Sequence, residues 1–495
     1  MKAKHLVIVL LLLLYLFLSS SILTLGHYWG GDFSAYIMQS VSFLEGTESE
    51  FIHQNSFTIQ NSNAALGPIN YPWGFPILIS PVIYLFGINL LALKSINILI
   101  YLLFLVCIFL LFAGRLSFVN RLVMLAFFAF SPVIIQAHDN ILSDIPFLFF
   151  STISVFMIDR FILSEKKLVS FTFDNLLLGF SIFAAYSTRT NGALLLLVLL
   201  ITQIVKRITS LNTNPINIKR IYLNVLPYLA FFTLLGLSML KLPDSSASYI
   251  SQSDGLNIVR AVKFLYRYTM LLPTMLHTYD YESPFNIFLF IIFLPFALMG
   301  VLSRWRSDYH FIIYSGFTLI LYSYPPFIAG LRYVFPVLPF YIYFILVGWD
   351  WLSSILKDRN LRVVRYFGNA LLLIILLVGI ASSLSLAIEN LSGRRQIEGP
   401  YDRSSTEMFR FITKNTGAES TIVFFKPRVL RLITGRRSLK ALYCPNILLG
   451  DYLVFHKEKD KERISIGEIQ NCSPQPEFDP IFDNQVFTVY RIRKH

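Results

Sequence analysis

The sequence predicts a polytopic α-helical membrane protein with a soluble α/β domain at its C-terminal end. Three observations predict it. Apolar residues fill 55% of the 495 positions, charged residues only 14%, and mean hydropathy is +0.60, too apolar for an ordinary water-soluble chain. Apolar runs long enough for a transmembrane helix, which needs ~20 such residues, recur along residues 1–389. From 390 to 495 the pattern changes to short amphipathic helices and strands.

The first run, 6–25, follows Lys2 and Lys4, and no Lys or Arg occurs after it until Lys94. The bias of basic residues toward the cytoplasm therefore places the N-terminus inside and residues 26–89 outside. The run is longer than the ~7–15-residue core of a cleaved signal peptide, so it reads as an anchor. Within 26–89, "NYPWGFPILISPVIYLFG" carries prolines at 72, 76 and 81, which oppose a full span and predict a short, half-buried helix docked on the bundle. Further spans are predicted at 91–112, 122–137, 141–159, 175–188, 192–205, 221–240, 285–303, 310–327, 334–350 and 367–388. Eleven spans is an odd number, so loop 241–284 and the C-terminal region fall on the same outer side as 26–89. A multi-pass protein of an inner or plasma membrane is the expectation. The net charge of +13 lies mostly in short loops between spans, where it sets topology and meets lipid headgroups; a nucleic-acid partner is not expected.

Residues 390–495 read as a small α/β layer domain following a membrane domain at 1–389. "SSTEMFRFITKN" is an amphipathic helix with Ser404 and Glu407 at capping-box spacing, and "RVLRLITG" a helix ended by Gly435. "STIVFF", "DYLVFH" and "QVFTVYRI" read as strands. Cys107 lies inside a span, whereas Cys444 and Cys472 both fall in the external domain, where an oxidising compartment permits a bridge between them.

Ionisable groups beside a bilayer are paired, wet or functional. Asp32, in "HYWGGDFSAY", stands just beyond the outer end of the first span. It fits a helix N-cap, and it also fits a base that takes a proton from a substrate arriving from outside. Asp144, in "HDNILSDIP", begins an inward span with Pro146 in its first turn and is likewise a cap or a site residue. His138 and Asp139 are candidate substrate contacts; they also fit a divalent-metal pair or plain solvation, though two ligands are too few to define a metal site. Lys94, Arg189 and Arg332 stand at the outer edge, where each holds a lipid phosphate or snorkels to ordinary headgroups. Tyr36, Tyr71 and Tyr333 adjoin these charges as candidate substrate contacts. Loop 241–284 adds Arg260, Lys263, Arg267, His277, Asp280 and Glu282 as a polar lid. No Walker loop, dinucleotide fingerprint or zinc-protease pair is present.

The ordered set "GDFSAY", "NYPWGFPILISPVIYLFG", "LKSIN", "SPVIIQAHDNILSDIPFLFF", "STRTNG" and "LRYVFPVLP" resembles the GT-C glycosyltransferases, and most closely the branch with the aminoarabinose transferase and the protein O-mannosyltransferases. In that family an acidic residue in the first external loop matches Asp32, and a second, in a small–acidic–Pro context, matches Asp144. The tail from "TEMFRF" resembles the extracytoplasmic α/β domain of bacterial members. The chain departs from the family in having Asp32 alone rather than an Asp-Glu pair, Pro72–Trp73 where two prolines are usual, and eleven spans where the aminoarabinose transferase has thirteen.

The resemblance implies an inverting glycosyltransferase that takes a sugar from a polyprenyl-phosphate carrier and passes it to a lipid, glycan or protein hydroxyl outside the membrane. It implies Asp32 as general base and leaves a divalent metal open as the only cofactor. Two other classes share the composition. A lipid or glycan transporter or flippase would show internal repeats and charges at mid-membrane, and no repeat is visible. A glycan ligase or polymerase with a diphosphate-linked donor would share the topology but not the early Asp motif.

Overall fold

The structure is a computed structural model that describes residues 2–64, 66–210, 218–243, 257–277, 282–324, 330–358, 362–395, 397–458, 463–470, 472 and 477–493. Each of the eleven apolar runs forms helix within its described residues. Among the described residues, eight helices are long and apolar enough to cross a membrane, and nine if the bent pair Phe118–Ala129 and Pro132–His138 is one span. The 51° bend falls where Pro132 interrupts the backbone hydrogen-bond ladder. The other two runs form Phe171–Thr188 and Tyr309–Ser323, which do not meet that standard of length and hydropathy. Asp280 of the loop 241–284 lies outside the described residues; Arg260, Lys263 and Arg267 of that loop sit on the helix Ile258–Leu271.

The first loop is built, not extended. It folds into helices Gly31–Glu45, Glu48–Gln60 and Gly74–Phe86. The last of these has 13 residues, encloses Pro81, and is too short to span, as the prolines require. It lies tight against the helix Phe171–Thr188. A Cβ on Gly74 would come within 2.5 Å of the Ser187 carbonyl, so only glycine allows this approach, which brings Tyr71 and Arg189 to one place.

The C-terminal domain holds a five-stranded mixed sheet of β1 (Thr421–Val423), β2 (Arg437–Leu439), β3 (Tyr452–His456), β4 (Glu477–Asp483) and β5 (Phe487–Arg493), in the order β2-β1-β3-β5-β4. The first three pair in parallel, with Ile422 opposite both Ser438 and Tyr452, and β5 runs antiparallel between β3 and β4. The sequence reading missed β2 and β4. The first has three residues; the second carries Pro480 beside a bulge, which only an edge strand tolerates. Helix Arg403–Asn415 is capped by Asp402, whose Oδ1 accepts from the Ser405 N–H at 2.7 Å, and not by Ser404; Glu407 pairs instead with Arg403 at 3.0 Å. Gly435 ends helix Pro427–Thr434 with φ +70°, as expected.

This domain is fused to the first loop by a shared core. Phe33, Ile37 and Phe75 pack in one cluster with Phe409, Phe424 and Val429. The ring of Trp29 reaches Phe424 and Phe425 edge-on. The edge of β2 is covered by residues 61–63: the Asn63 N–H donates to the Lys440 carbonyl at 3.2 Å and the Lys440 N–H to Ser62 Oγ at 2.8 Å.

Cys444 and Cys472 are bridged, with Cα atoms 5.1 Å apart. The bridge closes a loop with a sequence separation of 28. Limiting the unfolded chain in this way stabilises the domain by about 3–4 kcal/mol. A Cys444→Ser/Cys472→Ser protein is therefore expected to unfold its C-terminal domain at a clearly lower urea concentration. An unchanged midpoint, read from Trp29 fluorescence in the intact chain, would show that the bridge adds nothing.

Candidate active site

Asp32 lies in the first turn of helix Gly31–Glu45 and does not cap it; the N-cap is Gly30. Its carboxylate is therefore free for other contacts, and its side chain is 38% exposed. Oδ1 accepts a 2.6 Å hydrogen bond from the Tyr71 hydroxyl, and Oδ2 lies 3.8 Å from Nη2 of Arg332. Tyr36 stands one turn along the same helix. Its hydroxyl is 3.0 Å from Ser143 Oγ, and its ring packs 4.6 Å from that of Tyr71. Burial pushes both tyrosine hydroxyls up from their ordinary range, and the Asp32 charge pushes them further. Both are neutral donors at physiological pH.

Asp144 opens helix Asp144–Met157, whose N-cap is Ser143. The carboxylate is buried, and Oδ1 lies 2.8 Å from Nη2 of Arg189. Arg189 ends helix Phe171–Thr188 in extended backbone, just before a 3₁₀ turn at Thr190–Ala193. Its guanidinium sits 4.7 Å from the Tyr333 ring centroid, and that of Arg332 sits 5.3 Å from the same ring. Two cations thus converge on one aromatic ring beside Asp32. The cleft beside Arg189, lined also by Asp32, Tyr36, Tyr71, Asn191 and Tyr333, is narrow, about 30 Å³. Pro72 and Thr188 also line a second, larger groove of about 400 Å³. That groove is walled by Trp73, Ile77, Phe150, Phe183, Leu234 and Met239.

Lys94, His138 and Asp139 are not in this cleft. Lys94 is fully buried; its Nζ lies 2.7 Å from Asp139 Oδ1 and donates to the Thr24 and Gly26 carbonyls. Asp139 also accepts from the Thr24 N–H at 2.8 Å and faces Arg395 at 3.2 Å. These groups staple the end of the first span, the second span and the domain linker, so Lys94 is not placed to hold a lipid phosphate. His138 is buried against Tyr15 and Tyr101, away from the Asp139 carboxylate. The suggested metal pair does not form, and no group of three or more His, Cys, Asp or Glu able to hold a metal occurs among the described residues.

Sequence reasoning missed Gln39 and His27. Gln39 clamps the Tyr71 backbone in both directions: Nε2 donates to its carbonyl at 2.7 Å, and Oε1 accepts from its N–H at 3.1 Å. The signal was present, since residues 32, 36 and 39 share one helical face. His27 stacks on Phe33 at 3.9 Å, donates from Nδ1 to the Tyr28 carbonyl and accepts at Nε2 from the Ile141 N–H. Burial lowers its pKa to about 4, so it is a neutral strut between the Asp32 helix and the segment leading to Asp144.

No protein-family model and no characterised protein sequence matches the chain. Solved structures do. ArnT from Cupriavidus metallidurans in the apo state superposes with a TM-score of 0.61 at 12% identity, over 99% of this chain and 98% of that one. The same protein bound to undecaprenyl phosphate gives 0.59 at 12% identity, over 98% and 97%. The archaeal oligosaccharyltransferase AglB from Archaeoglobus fulgidus, in complex with an inhibitory peptide and a dolichol-phosphate, gives 0.54 at 11% identity, over 90% and 69%. At such identities the likeness is one of fold, and this chain has the GT-C fold of those membrane proteins across its membrane and C-terminal regions.

Proposed function

We propose that this GT-C-fold chain is an integral-membrane glycosyltransferase that moves a sugar, with inversion, from a polyprenyl-phosphate carrier to a hydroxyl on the extracytoplasmic side. The observation that carries the reading is the convergence of Arg189 and Arg332 on Tyr333 beside a half-exposed Asp32. A direct displacement needs one base for the acceptor and positive charge for the leaving group, and the cleft offers both. Asp32 takes the proton of the acceptor hydroxyl. The acceptor oxygen forms its bond to the anomeric carbon as the bond from that carbon to the phosphate oxygen breaks, and the electron pair leaves with the phosphate. The guanidinium groups of Arg189 and Arg332 receive that charge. Asp144 holds Arg189 in place and is not needed for a second proton transfer.

The apolar groove that shares Pro72 and Thr188 with the cleft suits a polyprenyl chain, whose phosphate would then lie at Arg189. A sugar ring is larger than the cleft, so transfer requires its walls to part. The outward placement of Asp32 and of the C-terminal domain rests on the basic-residue asymmetry, and the Cys444–Cys472 bridge suits an oxidising compartment. ArnT with undecaprenyl phosphate and AglB with dolichol-phosphate support a lipid-phosphate carrier.

Deleting the protein from its host is expected to leave the donor unspent, so a sugar-linked polyprenyl phosphate accumulates in lipid extracts. The wild-type chain restores the level, and Asp32→Asn does not. Unchanged carrier lipids and unchanged envelope glycans in the deletion strain would refute the reading.

A further inference from the structure

The C-terminal domain sends one side chain toward the base. Arg428, on helix Pro427–Thr434, is only 2% exposed and is the largest of the fully buried side chains. Its Nε donates to Asn55 Oδ1 at 3.2 Å and its Nη2 to the Pro68 carbonyl, while Nη1 has no hydrogen-bond partner among the described residues. No carboxylate pairs with it among the described residues. The next turn of the helix brings Arg431, 6% exposed, with its Nη1 and Nη2 also without hydrogen-bond partners among the described residues. A buried cation without a counter-charge lowers stability relative to an apolar residue of similar volume. Its hydrogen bonds to Asn55 and Pro68 order the loop, and its charge calls for a further role.

Its position says what. The guanidinium lies 5.9 Å from the centroid of the Tyr71 ring, on a residue whose hydroxyl donates to Asp32. Gly67, at φ +82°, separates the two groups. A Cβ there would stand 3.2 Å from the Tyr71 hydroxyl and 3.7 Å from Nη1 of Arg428. Arg428 also fixes the start and the end of the segment that leads to Tyr71, through Asn55 and Pro68.

We propose that Arg428 is a positioning residue for the active site: through Tyr71 it holds the Asp32 carboxylate in place, so that docking of the soluble domain completes the catalytic site of the membrane domain. The proposal rests on Asp32 being the base. The fork of Arg428 sets the loop, the loop sets the Tyr71 ring, and the hydroxyl occupies Oδ1 so that Oδ2 is left to face the acceptor. The cation behind the ring also polarises that hydroxyl: its charge lowers the Tyr71 pKa against the larger upward effect of burial. The other groups facing the site are Tyr36, Asp144, Arg189, Arg332 and Tyr333, and none of them is altered in the test below.

Purified full-length variants would be assayed with undecaprenyl-phosphate glucose, mannose and aminoarabinose, using the donor that wild type consumes. Arg428→Met is expected to lower kcat about ten- to a hundredfold, as small misplacements of a reacting group do, while KM for the donor stays within about twofold. Because Arg428 sets the hydroxyl that donates to Asp32, the acidic limb of the kcat–pH profile should move to higher pH. Tyr71→Phe should move it the same way, and adding Arg428→Met to Tyr71→Phe should move it little further. Arg428→Lys keeps the charge but not the fork, so it should restore the limb and only part of kcat.

An unmoved acidic limb in folded Arg428→Met, or full additivity with Tyr71→Phe, overturns the proposal. If Arg428→Met does not accumulate as folded protein, Tyr71→Phe and Arg428→Lys decide alone, and an unmoved limb in Tyr71→Phe is equally fatal. The base assignment fails separately: Asp32→Asn would then turn over normally, whereas an inactive Asp32→Asn beside an unmoved Arg428→Met rejects only the relay.

Discussion

Asp32→Asn is expected to abolish most sugar transfer while leaving the protein folded. The amide keeps the size of the carboxylate and can still accept from the Tyr71 hydroxyl, which now donates to Oδ1 at 2.6 Å. The helix loses no cap, because Gly30 occupies that position. What disappears is an acidic group in the first turn, worth about 0.3–1 kcal/mol beside the helix dipole. The chemistry suffers far more. An amide cannot take the acceptor proton, and loss of a general base typically lowers turnover about 10²–10⁴-fold. The measurement is release of undecaprenyl phosphate from its sugar-linked form, with binding of undecaprenyl phosphate as the control for an intact site. Near-normal turnover would leave Asp144 as the remaining candidate, since Asp139 is locked against Lys94 and fully buried.

Arg189→Gln is expected to have the second largest effect, and two separate causes contribute. Removing a donor aimed at developing negative charge commonly lowers kcat about 10²–10³-fold. The same substitution strands the Asp144 carboxylate, which lies 2.8 Å away and only 4% exposed. Breaking a buried pair from one side destabilises by about 3–5 kcal/mol. The causes separate in the double variant Asp144→Asn/Arg189→Gln, which no longer buries a lone charge. Its stability should return toward wild type in thermal unfolding, while its turnover stays low. Recovered turnover in the double variant would make Arg189 a structural partner of Asp144 and no ligand of the phosphate. Asp144→Asn alone should impair transfer less, by loosening Arg189.

Much of the site was legible because its elements are local. Asp32 and Tyr36 stand one turn apart on a helix whose start the sequence signals, and Gln39 extends the same face by another turn. Ser143 and Asp144 were readable as the entry to a span. The partners were not readable. Lys94 and Arg189 carry the same charge and both sit at helix ends, yet one is sealed against Asp139 and the other faces the cleft. The role of Arg428 was hidden further still, since it acts on Asn55 and Pro68 from another domain.

The sequence by itself determined the membrane class and the two cysteines able to bridge. These follow from apolar run length, hydrophobic period and redox chemistry, which depend on neighbours along the chain. Only the tertiary structure decided which of several similar charges meet, which tyrosine donates to Asp32, and that the soluble domain reaches the same place. The physical reason is range: an ion pair or a hydrogen bond depends on a few ångströms of separation and on local burial. Both are set when helices distant in sequence pack, as when Gly74 lets its helix close on Ser187 and bring Tyr71 to Arg189.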